Sequence, residues 1–185
     1  GLQTFFFFFL GCWGDGTIAP GGFLKSTDAS ILISLSTIGQ LSLLHKRFPA
    51  GVLIPPAVWR EVVEQGRGRS GAQEVAEADW IIVQDVTALE IVQLLQIELD
   101  EGEKEAIALS YEVDADVILL DERDARRAAK QLNLRVLGTV GILIWAKRTG
   151  EIPSLRQALD ALQAQAKFRI SQQLYERALS EVGEL

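Results

Sequence analysis

The 185-residue chain is short of several residue types that would point to particular functions. It has one cysteine, Cys12, one histidine, His45, and no methionine. A single cysteine excludes an internal disulfide framework, and with a single histidine it excludes a zinc site built from His/Cys clusters. Basic residues are also the minority, 18 against 25 acidic ones, which disfavours a broad basic surface for nucleic acid.

The N-terminal part has no apolar run long enough to cross a bilayer. The apolar stretch at residues 5–10 is far shorter than a membrane span needs. No Lys or Arg precedes Lys25, so the positively charged leader of a secretory signal is missing too. We therefore expect a cytoplasmic protein that does not associate with membranes.

The rest of the composition is that of an ordinary globular domain, with 48% hydrophobic and 23% charged residues. The length fits one domain. Residues 1–25 differ, because a Phe-rich run is followed there by a stretch of Gly, Pro and Asp. We interpret 1–25 as an irregular extension, with an aggregation-prone strand as the alternative. Residues 26–185, including two C-terminal helices, are predicted to form the folded domain.

From residue 25 onward, short apolar segments alternate with helical patterns. The segments predicted as strands are 52–54, 81–83, 117–120 and 135–137. Residues 21–27 contain few apolar side chains and predict only a weak first strand. Apolar residues at helical spacing predict a single long helix that ends near Arg47. This alternation indicates an α/β sandwich with a mostly parallel sheet.

The acidic residues at the strand ends and helix starts carry the functional signal. Five of them stand out: Asp28, Glu61, Glu103, Asp121 and Asp124. Each one alone is explained by a helix cap or a solvated side chain. Together they would converge at the carboxyl ends of a parallel sheet, where functional groups gather. Because like charges repel, such a cluster predicts a hard cation, Mg²⁺ or Mn²⁺, and metal-assisted phosphodiester hydrolysis.

Several segments of the chain resemble PIN-domain proteins. The segments that carry the likeness are Asp28-Ala29-Ser30-Ile31-Leu32-Ile33, Ile54-Pro55-Pro56-Ala57-Val58-Trp59-Arg60-Glu61, residues 99–109, Leu119-Leu120-Asp121-Glu122-Arg123-Asp124 and residues 138–150. The likeness runs from residue 26 to the C-terminus. It implies a PIN-like three-layer α/β/α sandwich with a mostly parallel central sheet.

The resemblance also implies an activity. The VapC-type toxins of this family are Mg²⁺-dependent ribonucleases paired with an antitoxin. The chain is therefore expected to be a Mg²⁺- or Mn²⁺-dependent nuclease that hydrolyses single-stranded RNA, with an antitoxin protein and further copies of itself as partners. The resemblance assigns the catalytic acids Asp28, Glu61, Glu103 and Asp121. It assigns the metal ligands Asp28, Glu103, Asp121 and Asp124.

Substrate contacts are expected from residues beside these acids. Ser30 and Thr139 correspond to polar neighbours of the metal or of the phosphate. Arg123, Arg126 and Arg127, on the helix after Asp121, either hold the RNA backbone or form a solvated helix face. The alternative for the whole chain is a non-catalytic PIN-fold module that binds a partner or nucleic acid.

Overall fold

The computed structural model describes residues 25–95 and 99–185, so nearly all of the predicted extension at 1–25 lies outside the described residues. The strands are β1 (Lys25–Thr27), β2 (Val52–Ile54), β3 (Ile81–Val83), β4 (Val117–Leu119) and β5 (Val136–Leu137). The helices are α1 (Ala29–Thr37), α2 (Ser42–Arg47), α3 (Pro56–Trp59), α4 (Ala72–Glu77), α5 (Leu89–Leu94), α6 (Glu101–Glu112), α7 (Arg123–Gln131), α8 (Thr139–Arg148), α9 (Leu155–Gln165) and α10 (Gln172–Glu181). A π-helical turn, Arg60–Glu64, continues α3.

The five strands form one sheet in the order β3-β2-β1-β4-β5, and every neighbouring pair is parallel. Parallel strands need long crossover connections, and the helices between the strands supply them. In the register of the sheet, Thr27 lies opposite Leu119, and Leu119 lies opposite Leu137. The predicted α/β class with a parallel sheet is confirmed.

Helices cover both faces of the sheet. Successive residues from Ile118 to Leu120, in β4 and directly after it, pack into two different cores. Leu119 packs in the larger core, which includes residues of α1, α8 and α9. Ile118 and Leu120 pack in a smaller core with residues of α6 and α7. Successive side chains of a strand point to opposite faces, so these two cores define the three layers that were expected.

The first strand is more central than its composition suggested. We expected a weak strand, but β1 lies between β2 and β4, and Ser26 and Thr27 are 0% exposed. Its polar groups find partners: Ser26 Oγ donates to the carbonyl oxygen of Ala106 at 3.3 Å, and Lys25 Nζ lies 3.4 Å from Asp116 Oδ2. A polar strand is tolerated at the centre because buried polar groups with partners are not destabilising.

The predicted single helix ending near Arg47 is wrong, because the structure has two helices, α1 and α2, in its place. Gly39 lies between them with a left-handed φ of +69°, and the Gln40 N–H donates to the carbonyl oxygen of Leu35. Glycine at such a position ends a helix readily. The longest described helix, α6, has 12 residues. Within 25–95 and 99–185, no helix combines the length and apolar character needed to cross a membrane.

We expect Gly51→Ala to destabilise the fold more than Gly39→Ala. Both glycines have positive φ, which costs a residue with a Cβ about 1–2 kcal/mol. A Cβ at Gly51 would lie only 2.4 Å from the carbonyl oxygen of Trp80, whereas Gly39 has open space around it. This clash adds roughly 1–3 kcal/mol at Gly51. Urea unfolding measures both variants, and equal losses would contradict the close approach.

Candidate functional site

Three neighbouring strands of the sheet end at the candidate site. The registers that align Thr27 with Leu119 and Leu119 with Leu137 bring the carboxyl ends of β1, β4 and β5 side by side. Asp28 follows β1 directly, and Asp121 and Thr139 each follow their strands by two residues. The sheet therefore positions all three side chains at one edge, as expected for a parallel sheet.

Asp28 is buried and caps α1. The residue is 2% exposed, and its Oδ1 accepts a hydrogen bond from the Ile31 N–H at 3.2 Å. Ser30 Oγ lies 2.9 Å from both carboxylate oxygens. Burial raises the pKa of Asp28 well above its usual value, and the negative charges of Asp121 and Glu103 raise it further, against the lowering effect of the hydrogen bonds.

Asp121 is held by the first residue of α8. The Thr139 N–H donates to Asp121 Oδ1 at 2.9 Å, and Thr139 Oγ1 donates to Oδ2 at 2.6 Å. Burial raises the pKa of Asp121, while the two hydrogen bonds from Thr139 lower it in part. The positive end of the α8 dipole also favours a carboxylate here. Thr139, predicted as a substrate contact, therefore positions Asp121 in this structure.

Glu103 lies in the first turn of α6 and is 7% exposed. It forms a reciprocal capping box with Asp100, in which the Glu103 N–H donates to Asp100 Oδ1 at 2.8 Å and the Asp100 N–H donates to Glu103 Oε2 at 3.1 Å. Burial, followed by the charge of Asp100, raises the pKa of Glu103 to about 7. Asp100 was not among the predicted site residues, although the Asp-x-x-Glu spacing is a readable capping signal.

Glu61 lies in the π-helical turn after α3. A Cβ at Gly102 would lie 3.2 Å from Glu61 Oε2, so this carboxylate sits against the start of α6. Burial and the charge of Asp100 raise the pKa of Glu61. Glu61 also raises the pKa of Glu103, which in turn raises that of Asp28. The predicted catalytic acids thus form one electrostatically coupled row.

Asp124 is placed differently from the other predicted metal ligands. Its carboxylate lies 3.6 Å from Arg127 Nη2, one turn further along α7. It lines a groove with Leu94, Leu95 and Leu99 that includes none of the other predicted acids. The contacts that the structure shows for Asp124 are therefore those of a helix-surface ion pair.

The donor set suits a hard divalent cation in kind, because it consists of carboxylates whose charges oppose one another. The geometry is less complete than the sequence predicted. In the part of the chain that the structure describes, no three Asp, Glu, His or Cys side chains are grouped so that they could hold one ion together. Each of the three accepts a backbone hydrogen bond at the start of a helix instead: Asp28 from Ile31, Glu103 from Asp100 and Asp121 from Thr139.

A groove with basic walls opens beside Asp121. Its volume is about 620 Å³. Its lining residues are Asp121, Arg123, Arg126, Arg127, Lys130 and Gln131. The three arginines predicted to contact substrate are thus brought together next to one predicted catalytic acid. Arg126 is anchored, because its Nη1 donates to the carbonyl oxygen of Leu120 at 2.8 Å.

Comparisons with known proteins give a family match and a likeness to a solved structure. Residues 26–184 match a family model described as PIN domain. Among solved structures, the chain is similar to a PilT N-terminus domain protein from the hyperthermophilic archaeon Sulfolobus solfataricus P2, with 13% identity and a TM-score of 0.47. That match covers 80% of this chain and 98% of the other. No curated protein matches the chain significantly.

In the metal-free protein, we expect the free energy of unfolding to fall as pH rises from 4.5 towards 7. A carboxyl whose folded-state pKa is raised stabilises the fold fully below its unfolded-state pKa, and this contribution is lost as pH rises through the folded value. For Glu103 these values are 4.5 and about 7, which corresponds to a loss of the order of 3 kcal/mol. Urea unfolding in EDTA across this range should show a shallower fall in Glu103→Gln, and an unchanged slope would contradict the raised pKa.

Thr139→Val should raise the pKa of Asp121, because valine keeps the shape of threonine but cannot donate to Oδ2. Loss of one hydrogen bond to a charged group corresponds to a rise of about one pKa unit. Thr139→Ser keeps the donor and serves as the matched variant. Carboxyl-carbon NMR titration of Asp121 measures both, and equal pKa values in the two variants would show that the hydroxyl does not hold Asp121.

Proposed function

Since the chain belongs to the PIN domain family, whose members are typically metal-dependent nucleases, we propose that it is a Mg²⁺- or Mn²⁺-dependent ribonuclease that hydrolyses single-stranded RNA. The observation that supports this proposal best is the coupled row of buried carboxylates at the edge of the sheet. Burial raises the pKa of Asp28, of Glu103 and of Asp121, and the charges of Asp121 and Glu103 raise that of Asp28 further. A divalent cation would relieve that cost.

The residues of the chain have separable roles in this proposal. Asp28, Glu103 and Asp121 would hold the metal, with Glu61 next to Glu103. Since no three of the described acids are grouped around one ion in this structure, the three side chains would have to turn from their present hydrogen bonds towards a shared ion. The chemistry that a bound Mg²⁺ or Mn²⁺ would supply there is stabilisation of the negative charge on the phosphate and activation of a water. Ser30 and Thr139 orient Asp28 and Asp121 through their hydroxyl groups. No side chain is required as a covalent nucleophile.

The basic groove beside Asp121 supports a phosphodiester substrate. Phosphate groups bind arginine and lysine side chains, and such contacts position a nucleic acid without reading its sequence. Arg123 and Lys130 are exposed on α7, so they are available to an RNA backbone. Arg126 is half-buried and joins the groove to the strand end through Leu120.

The second candidate function is a non-catalytic PIN-fold module that binds a partner or nucleic acid. One observation favours it: among the described residues, no three acids are grouped to hold one ion. The antitoxin partner, the homodimer or higher oligomer and the cytoplasmic location stay predictions from the sequence.

The nuclease proposal is tested by cleavage of unstructured RNA with added Mg²⁺ or Mn²⁺. Asp121→Asn and Asp28→Asn should each lower the rate by at least about 100-fold, because the metal supplies several kcal/mol of transition-state stabilisation. EDTA should abolish cleavage by the unmodified protein. Single-stranded DNA of the same sequence shows whether RNA is preferred.

Asp79→Asn is the matched control, since Asp79 is an exposed aspartate that precedes β3 and therefore lies at the amino ends of the strands. It should cleave RNA like the unmodified protein. Cleavage that survives in both Asp121→Asn and Asp28→Asn would reject these acids as the site. A complete lack of cleavage by the unmodified protein on varied RNAs would favour the non-catalytic module.

A further inference from the structure

A second groove also reaches Asp121, and it lies between β5, the start of α8 and the C-terminal helix α10. Its volume is about 430 Å³, within the range of roughly 300–1,000 Å³ that is usual for small-ligand sites. Apolar side chains line much of it, among them Leu137, Ile144, Phe168 and Leu174. Phe168 is half-buried against the core, and Leu174 is 42% exposed.

Charged side chains, more basic than acidic, border this apolar surface. Arg126, Arg169 and Arg177 line the same groove, together with the carboxylates Asp121 and Glu181. Arg177 Nε lies 3.8 Å from Glu181 Oε1, a long ion pair on an exposed helix face. Arg169 is exposed, and within residues 25–95 and 99–185 it makes no hydrogen bond or ion pair. The groove therefore combines an apolar surface with cations that can bind an anion.

The apolar groove is continuous with the proposed catalytic site. Asp121 and Arg126 line both this groove and the basic groove along α7. Gly138 lies where the two meet, since a Cβ there would come within 2.7 Å of Arg126 Nη1 and 2.9 Å of Asp121 Oδ1. Any side chain at Gly138 would therefore collide with Arg126 and Asp121 where the two grooves meet.

We propose that this groove binds an unpaired nucleobase of the RNA strand, next to the phosphate presented to Asp121, and that Phe168 provides the stacking surface. The proposal rests on the proposed function, and it restricts the substrate to single strands. A base inside a duplex is paired and stacked, so it cannot enter a groove beside the scissile phosphate without being extruded. Aromatic side chains next to cations are the usual way in which proteins bind single strands without reading their sequence.

The chemistry of the groove favours a nucleotide over a second copy of the chain. A nucleotide presents an apolar ring face and an anionic phosphate within a few ångströms, which matches Phe168 and Leu174 bordered by Arg126 and Arg169. A stable protein interface instead buries about 800 Å² on each partner. Because the proposed catalytic acid Asp121 lines this groove, its occupant is more reasonably substrate than a second copy.

The experiment compares Phe168→Leu with the control Phe48→Leu. Both phenylalanines are half-buried against the same core, but Phe48 follows α2 and precedes β2, at the amino ends of the strands. The probes are a fluorescent 12-nucleotide oligouridine RNA and the same strand with abasic residues at its four central positions. Fluorescence anisotropy in EDTA measures binding without cleavage.

The unmodified protein and Phe48→Leu should bind the oligouridine at least about fivefold more tightly than the abasic strand, because stacking on an aromatic ring adds affinity for each base. Phe168→Leu should lose that preference and keep its affinity for the abasic strand. Thermal unfolding by circular dichroism shows whether each variant folds. If Phe168→Leu does not fold, Leu174→Asp replaces it, because Leu174 is substantially exposed in the same groove. A carboxylate there should repel the RNA strand from the groove and abolish the preference for bases.

Two results would overturn the proposal. The first is a preference for bases that Phe168→Leu retains, or that the unmodified protein lacks. The second is a dimer that Leu174→Asp dissociates in sedimentation experiments while the preference for bases persists, which would assign the groove to a second copy. Cleavage of RNA without a base preference would leave the nuclease proposal intact and reject this one. A base preference without cleavage would support the binding of a base in this groove and reject the nuclease proposal.

Discussion

The parallel pairing of β1 with β4 is the constraint on which the site depends. Because Thr27 lies opposite Leu119, β1 and β4 end side by side. Asp28 and Asp121, which follow these two strands, therefore lie next to each other along the sheet. The pairing of β4 with β5 brings Thr139 to the same edge. A shift of one residue in either register would turn buried side chains to the opposite face. The packing of the core therefore holds the carboxylates in place.

This arrangement places several negative charges in a poorly solvated region, which is unfavourable without compensation. Hydrogen bonds compensate for it: Asp28 accepts from Ser30 and Ile31, and Asp121 accepts from Thr139. Two of the acids also have a structural role. Asp28 is the cap of α1, and Glu103 completes the capping box of α6. Helix capping explains where these acids stand, and their burial explains why they suit a cation.

The distribution of charge matters more than its sum. Acidic residues outnumber basic ones by 25 to 18 over the whole chain, and without the five predicted site acids the numbers are 20 and 18. Part of the acidity thus lies in the buried acids near the candidate site, whereas arginines line both grooves that reach Asp121. A net negative protein can therefore present cations where a phosphate backbone would lie.

Local signals in the sequence suffice for the order of most helices and strands, because periodicity and caps such as Ser154 and Ser171 act within a few residues. The sequence also identified acids at the strand ends. Tertiary structure alone decided that the polar strand β1 is central, that Thr139 holds Asp121, and that Phe168 lines a groove reaching the same acid. These contacts join residues far apart in the chain, and only the packing of strands and helices brings such residues together.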